Sequence, residues 1–138
     1  DQRRPQGPQG RGLDDRFEAV NSRNTGVRRE EVEAEAQLEV GAGADEVGLY
    51  IVKSTDRRRF FVFGHPEYET DTLRLEYERD VKRGLNPQVP AHYFPGDDPA
   101  AEPRNVWRSQ AQLLYTNWLN YYVYQTTPYD LARAGEEH

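Results

Sequence analysis

The chain has 138 residues, with 24 Asp and Glu against 18 Lys and Arg, for a formal net charge of −6. That length suits one modest domain, and the acidic balance argues against a nucleic-acid partner, because a phosphate backbone attracts basic surfaces. With no cysteine and a mean hydropathy of −1.01, the composition excludes disulfides and thiolate metal sites, and no apolar run is long enough to span a membrane.

No signal-peptide pattern opens the chain, so a soluble, cytoplasmic protein is expected. Asp1 in first place and the absence of methionine point to a trimmed or partial polypeptide.

In chain order, residues 1–12 are rich in Gln, Pro, Arg and Gly and read as a disordered arm or linker. Residues 13–35 are mixed, and Leu13-Asp14-Asp15-Arg16-Phe17 suits either a single helical turn or a loop. Residues 35–40 alternate polar and apolar, as in a half-buried strand. Gly41-Ala42-Gly43-Ala44-Asp45 reads as a turn, residues 47–52 as a strand, residues 54–58 as a polar turn and residues 59–63 as a third strand. Three short strands joined by tight turns make a meander.

Thr70 is placed to cap a helix running to about Arg83, with Leu73, Tyr77 and Val81 on one face and Gly84 at its end. Residues 85–103 are irregular, with five prolines. Pro103 suits the first turn of a long helix to about Gln125, with Trp107, Ala111, Leu114, Trp118 and Tyr121 on one stripe and Pro128 as its stop. An aromatic stripe of this kind is core or interface far more often than a ligand-stacking box.

The chemistry gathers at Gly64-His65-Pro66-Glu67, directly after Phe60-Phe61-Val62-Phe63. In extended backbone, residues two apart point to the same side, and Pro66 stiffens the link. The Glu67 carboxylate can therefore hold the His65 imidazole in one tautomer, as a general base requires. On spacing alone, a solvated surface turn fits these residues as well. Arg79, in the following helix, offers a guanidinium fork for a substrate carboxylate; the simpler reading is an exposed arginine pairing with Glu76 or Glu78. The triplet Arg57-Arg58-Arg59 reads as a solvated turn, with an acyl-CoA phosphate contact as the alternative. Asp97-Asp98 reads as a turn rather than a metal site. Of the three histidines, His65, His92 and His138, no two share a metal-ligand spacing, so no metal is expected.

The run Gly64-His65-Pro66-Glu67-Tyr68 resembles the homoserine O-acyltransferase family of methionine biosynthesis, of the homoserine O-succinyltransferase type. Arg79-Asp80, Pro90, Phe94-Pro95 and Asp98-Pro99 resemble it too. So do Trp107-Arg108-Ser109, the block Leu113-Leu114-Tyr115-Thr116-Asn117-Trp118-Leu119-Asn120-Tyr121-Tyr122-Val123-Tyr124-Gln125, and Thr127-Pro128-Tyr129-Asp130-Leu131. Upstream, Arg11-Gly12-Leu13-Asp14-Asp15-Arg16-Phe17 and Ser22-Arg23 extend the likeness, which runs from about residue 11 to residue 131. Asn21 stands where the family usually has a histidine, and residues 1–10 do not share the likeness.

The resemblance implies an α/β fold, the C-terminal half of a flavodoxin-like sandwich similar to class I glutamine amidotransferases, with a short strand meander and two helices in this chain. On that division residues 1–12 are the arm, 13–131 the half-domain and 132–138 a tail. It implies a ping-pong reaction in which acetyl-CoA or succinyl-CoA acylates a cysteine that then passes the acyl group to L-homoserine. Carried over, His65 is the general base, Glu67 its orienting acid and Arg79 the holder of the substrate carboxylate. No metal or bound organic cofactor is implied; acyl-CoA is a co-substrate. The nucleophilic cysteine, and most of the parallel sheet, would lie in an N-terminal half on the same original chain or a second subunit. The chain alone would then be inactive, and the whole a homodimer. Two other classes stay open: a non-catalytic relic or interaction module, favoured by the missing cysteine, and an amidotransferase-like glutaminase, opposed by the aromatic block.

Overall fold

The computed structural model describes residues 2–3, 7–23 and 25–127. Pro128 as a helix stop, residues 128–131 of the family-like block, the tail at 132–138 and His138 lie outside the described residues. The architecture is mixed α/β. Two short strands, β1 (Gln2–Arg3) and β2 (Arg16–Phe17), pair antiparallel. The main sheet is an antiparallel meander in the order β3 (Leu38–Ala44), β4 (Gly48–Ser54), β5 (Phe60–Val62). The helices are α1 (Arg29–Glu33), α2 (Thr72–Lys82) and α3 (Arg108–Trp118), with α1 and α3 packed on the sheet through Val32 and Leu114.

Strand β4 is central and buried from Leu49 to Ser54, which accounts for the unbroken apolar run Leu49-Tyr50-Ile51-Val52 in place of alternation. Leu13, Phe17, Ala42 and Leu114 pack with Tyr50 and Ile51 in one cluster. Val32 of α1 packs with Leu49 and Val52 in a second. A third cluster joins Val20, Tyr93, Phe94 and Trp107, with Tyr68 and Leu73 against it.

Several elements differ from expectation, each for a physical reason. Helix α1 makes three helices in place of two. Only Val32 of its five residues is buried, so it carries too little apolar periodicity to be read. Residues 41–44 are strand, not turn. The register slips between Val40 and Gly43, and a Cβ on Gly43 would lie 2.9 Å from the Gly48 carbonyl, so this glycine allows close strand approach at a bulge. The turn falls at residues 45–47.

Helix α2 starts after Asp71 and has no side-chain cap of its own. Its first turn is satisfied from a distance: the Arg74 N–H donates to the Tyr93 hydroxyl at 3.2 Å, and that hydroxyl donates to the Thr70 carbonyl. Helix α3 begins at Arg108, five residues beyond Pro103, where the Asn105 side chain accepts the N–H groups of Trp107 and Arg108 at 3.3 and 3.0 Å. It continues over Leu119–Tyr124 as a π-helix. The wider turn changes which residues face inward. Asn117 and Tyr122 are buried, whereas Trp118, expected on the buried stripe, is exposed.

That change brings in residues 7–12, which composition reads as part of an arm. The Asn117 Nδ2 donates to the carbonyls of Gln9 and Arg11 at 3.1 and 2.8 Å, and the Tyr122 hydroxyl donates to the Gln9 side chain. Gln9 is 1 % exposed. Each of these bonds joins residues more than a hundred positions apart, beyond what local composition reports. Asn117→Ala is therefore expected to lower stability by roughly 1–3 kcal/mol, since it strands two carbonyls. Chemical denaturation should show the loss, and amide exchange should show it concentrated at residues 9–13.

Candidate active site

Strand β5 delivers the motif to a fixed place. The Phe63 N–H donates to the Tyr50 carbonyl and the His65 N–H to the Val20 carbonyl, both at 2.8 Å. Between them Gly64 is buried against the Tyr50 ring. A Cβ there would lie 2.5 Å from Tyr50 Cε2 and 2.7 Å from the Val20 oxygen, so no larger residue fits without moving strand or loop. Arg23 ties the same loop to the sheet, donating to the carbonyls of Leu49 and Phe63 at 3.0 and 3.5 Å.

The expected contact forms, but across a turn in place of extended backbone: residues 66–67 are a turn, and the Tyr68 N–H donates to the His65 carbonyl at 3.2 Å. His65 Nδ1 lies 2.8 Å from Glu67 Oε1. With Nδ1–H donated to that carboxylate, Nε2 is the nitrogen left for proton exchange. It lies 3.3 Å from the Ser22 carbonyl, an oxygen that accepts a hydrogen bond from Nε2–H once the ring is doubly protonated. The imidazole stacks on Tyr68, with centroids 4.4 Å apart and planes 20° apart. The His65 side chain keeps 35 % of its surface open, enough for a reacting atom to approach.

Tyr68 is held at both ends. Its carbonyl accepts the Trp107 indole N–H at 3.0 Å, and its hydroxyl donates to Glu76 Oε1 at 2.7 Å. Burial and, after it, the bond to Glu76 push the hydroxyl up to about 12, so it stays a donor. The other Glu76 oxygen accepts the Ser22 hydroxyl at 2.8 Å.

Arg79 lies one turn further along α2, half-exposed. Its Nε donates to Asp80 Oδ1 at 2.8 Å, so the partner is Asp80 rather than Glu76 or Glu78. The hydrogen bond to Asp80 holds the guanidinium above its usual range, and the charges of Asp80 and Glu76 add to it. His65 and Glu67 are thus brought into contact, while Arg79 is bonded to Asp80 and is linked to Glu76 and Tyr68 through charge alone. Tyr115 of α3 faces the same acid: burial first, then the Glu67 charge, raises its hydroxyl.

Ser22, Tyr68 and Glu76 carry no role in the sequence reading. The spacing of Glu76 and Arg79, three apart on one helix face, was a usable signal. Ser22 had none, lying 43 residues from His65. Asn21, the departure from the family pattern, donates to the Ala19 carbonyl at 3.2 Å, and its Oδ1 is buried without a partner. The carboxylates of Asp97 and Asp98 accept backbone N–H groups of His92 and Ala100. Among the described residues, no group of three His, Asp or Glu side chains is placed to hold a metal, and no helix is long and apolar enough to cross a membrane.

Comparison with known proteins points one way. A family model described as homoserine O-succinyltransferase matches residues 1–129, and so reaches through residues 1–10, which the resemblance had left out. The chain is 52% identical over 120 residues to a homoserine O-acetyltransferase of Geobacillus kaustophilus, covering 87% of this chain and 40% of that protein. It is 53% identical over 127 residues to a homoserine O-succinyltransferase of Alteromonas mediterranea, covering 92% and 41%. A homoserine O-succinyltransferase of Tolumonas auensis is 50% identical over 132 residues, covering 96% and 42%. The chain thus spans about two fifths of the length of these relatives.

Gly64→Ala is expected to displace the His65 loop and lower stability by roughly 1–3 kcal/mol, the usual cost of overpacking. A denaturation midpoint equal to that of the unaltered protein would show that the contact with Tyr50 is not restrictive.

Proposed function

Because this chain belongs to the homoserine O-succinyltransferase family, we propose that it supplies the base, the orienting acid and a substrate-binding arginine to a homoserine O-acyltransferase of methionine biosynthesis. The observation that carries this reading is the His65–Glu67 contact of 2.8 Å, with Nε2 left for a nucleophile. The chain has no cysteine, so the nucleophile belongs to the part of the family's length that this chain does not span, in the same polypeptide or a second subunit.

In the proposed reaction His65 Nε2 takes the proton of that cysteine thiol, and the thiolate attacks the thioester carbonyl of acetyl-CoA or succinyl-CoA. The imidazolium returns the proton to the departing CoA thiolate, leaving an acyl-cysteine thioester. L-homoserine then enters. His65 takes the proton of its hydroxyl, the oxygen attacks the thioester, and O-acyl-L-homoserine leaves as the cysteine is restored by the same proton. Glu67 keeps the Nδ1–H tautomer and offsets the imidazolium charge. Arg79 binds the amino acid's carboxylate. Arg79 itself is half-exposed, and a surface pair such as Arg79–Asp80 contributes little, so exchange for a substrate carboxylate costs little.

The proposed whole is a flavodoxin-like sandwich of the class I glutamine amidotransferase type, cytoplasmic and homodimeric. The uncovered side of this chain supports a missing half. Phe61, Val62, Tyr115 and Trp118 are each at least 39 % exposed and border an apolar groove of about 490 Å³, a surface that favours cover. The absence of cysteine also supports a second reading, a non-catalytic module. The two differ in whether a complex containing this chain forms an acyl-enzyme.

In that complex, His65→Ala is expected to abolish acyl-enzyme formation from acyl-CoA, followed by intact mass. Glu67→Gln should slow it by a smaller factor. Normal acylation in His65→Ala would overturn the base assignment. Arg79→Ala should raise the KM for homoserine at least tenfold, roughly the loss of one charged hydrogen-bond pair, and leave acylation unchanged. A kcat defect without a KM change would remove Arg79 from the substrate site.

A further inference from the structure

Two groups besides Glu67 touch the His65 ring, and one carboxylate holds both. Tyr68 lies under the ring at 4.4 Å, and the Ser22 carbonyl faces Nε2 at 3.3 Å. The Tyr68 hydroxyl donates to Glu76 Oε1 and the Ser22 hydroxyl to Glu76 Oε2, at 2.7 and 2.8 Å. The three partners come from separate parts of the chain: the 20–23 loop, the turn after β5, and α2. We propose that Glu76 is a positioning residue for His65, fixing the imidazole between the Tyr68 ring and the Ser22 carbonyl. This rests on the reading of His65 as the base.

The chemistry of the bridge favours an ionised carboxylate. It offers two acceptor oxygens to two O–H donors, and such charge-assisted bonds are stronger than neutral ones. An amide in its place keeps one acceptor and turns an N–H toward one of the hydroxyls. Glu67 alone is a poor clamp, because its side chain is 56 % exposed and holds only one edge of the ring. The Ser22 carbonyl matters most after proton transfer. It accepts Nε2–H of the imidazolium and keeps the ring aimed until that proton passes to the leaving group. Helix α2 gives the bridge a firm base, since the Tyr93 hydroxyl pins its first turn.

The test uses the complete enzyme and separates the two half-reactions. Thioester formation from acyl-CoA, without homoserine, is timed for the unaltered protein, Glu76→Gln, Tyr68→Phe and the double variant. Tyr68→Phe keeps the ring and removes only the hydroxyl, so folding is retained. Each single variant is expected to slow thioester formation about tenfold, and the double variant by no more than either, because both break one network. The KM for homoserine should change less than about twofold, as expected of a loss confined to the base. Normal thioester formation with a raised homoserine KM would overturn the proposal and place Glu76 in the substrate pocket. Multiplying losses in the double variant would also overturn it. If the unaltered protein forms no thioester, the acyltransferase reading fails instead. The ¹⁵N shifts of the His65 ring still decide the positioning role: they should move in Glu76→Gln, and unchanged shifts would sink it.

Discussion

Gly64 lies flat against the ring of Tyr50, with the Val20 carbonyl on its other side. The site depends on this close approach. It lets the end of β5 run beside the 20–23 loop, so that the His65 N–H meets Val20 and Arg23 reaches the carbonyls of Leu49 and Phe63. Tyr50 is 2 % exposed, and burial pushes its hydroxyl up, so it remains a neutral platform. A side chain at position 64 would part these two segments, and the Ser22 carbonyl would leave the reach of His65.

The fold around that contact is unevenly covered. Strand β4 is enclosed by Val32 of α1 and by Leu13, Phe17 and Leu114. Among the described residues strand β5 pairs with β4 alone, and it carries exposed Phe61 and Val62. The apolar area buried is divided among three small clusters, whereas an apolar groove stays open between β5 and α3. This open groove supports the proposal that the core is shared with the part of the family's length that this chain, at about two fifths, does not span.

Electrostatics give the site its direction. Two carboxylates, Glu67 and Glu76, stand on the His65 side, one touching the ring and one acting through Tyr68 and Ser22. Arg79 follows one turn later, half-exposed and paired with Asp80. In the proposed reaction, the negative charge beside His65 would favour an imidazolium, and Arg79 would bind the amino acid's carboxylate. The tight helix start at Tyr93 and the clamp of Trp107 on Tyr68 keep these groups in register.

Local residue order carried much of this. Tight turns and short apolar runs marked the three-stranded meander, and the two-residue spacing of His65 and Glu67 across Pro66 marked their contact, because each is decided within a few bonds. The order of Trp, Tyr and Asn in the 113–125 block carried the family. Contacts between distant segments were not legible. Asn117 and Tyr122 face Gln9 because a π-helix shifts the inward face of α3. Gly41 and Gly43 sit in a bulged strand because β4 packs against them. Tyr93 caps a helix it does not belong to, and Glu76 joins Ser22 to Tyr68 across 54 residues of chain. The sequence by itself determined the meander, the His65–Glu67 pair and the family. Only the tertiary structure decided what holds that pair in place, because hydrogen bonds between remote segments form through packing, which no local pattern encodes.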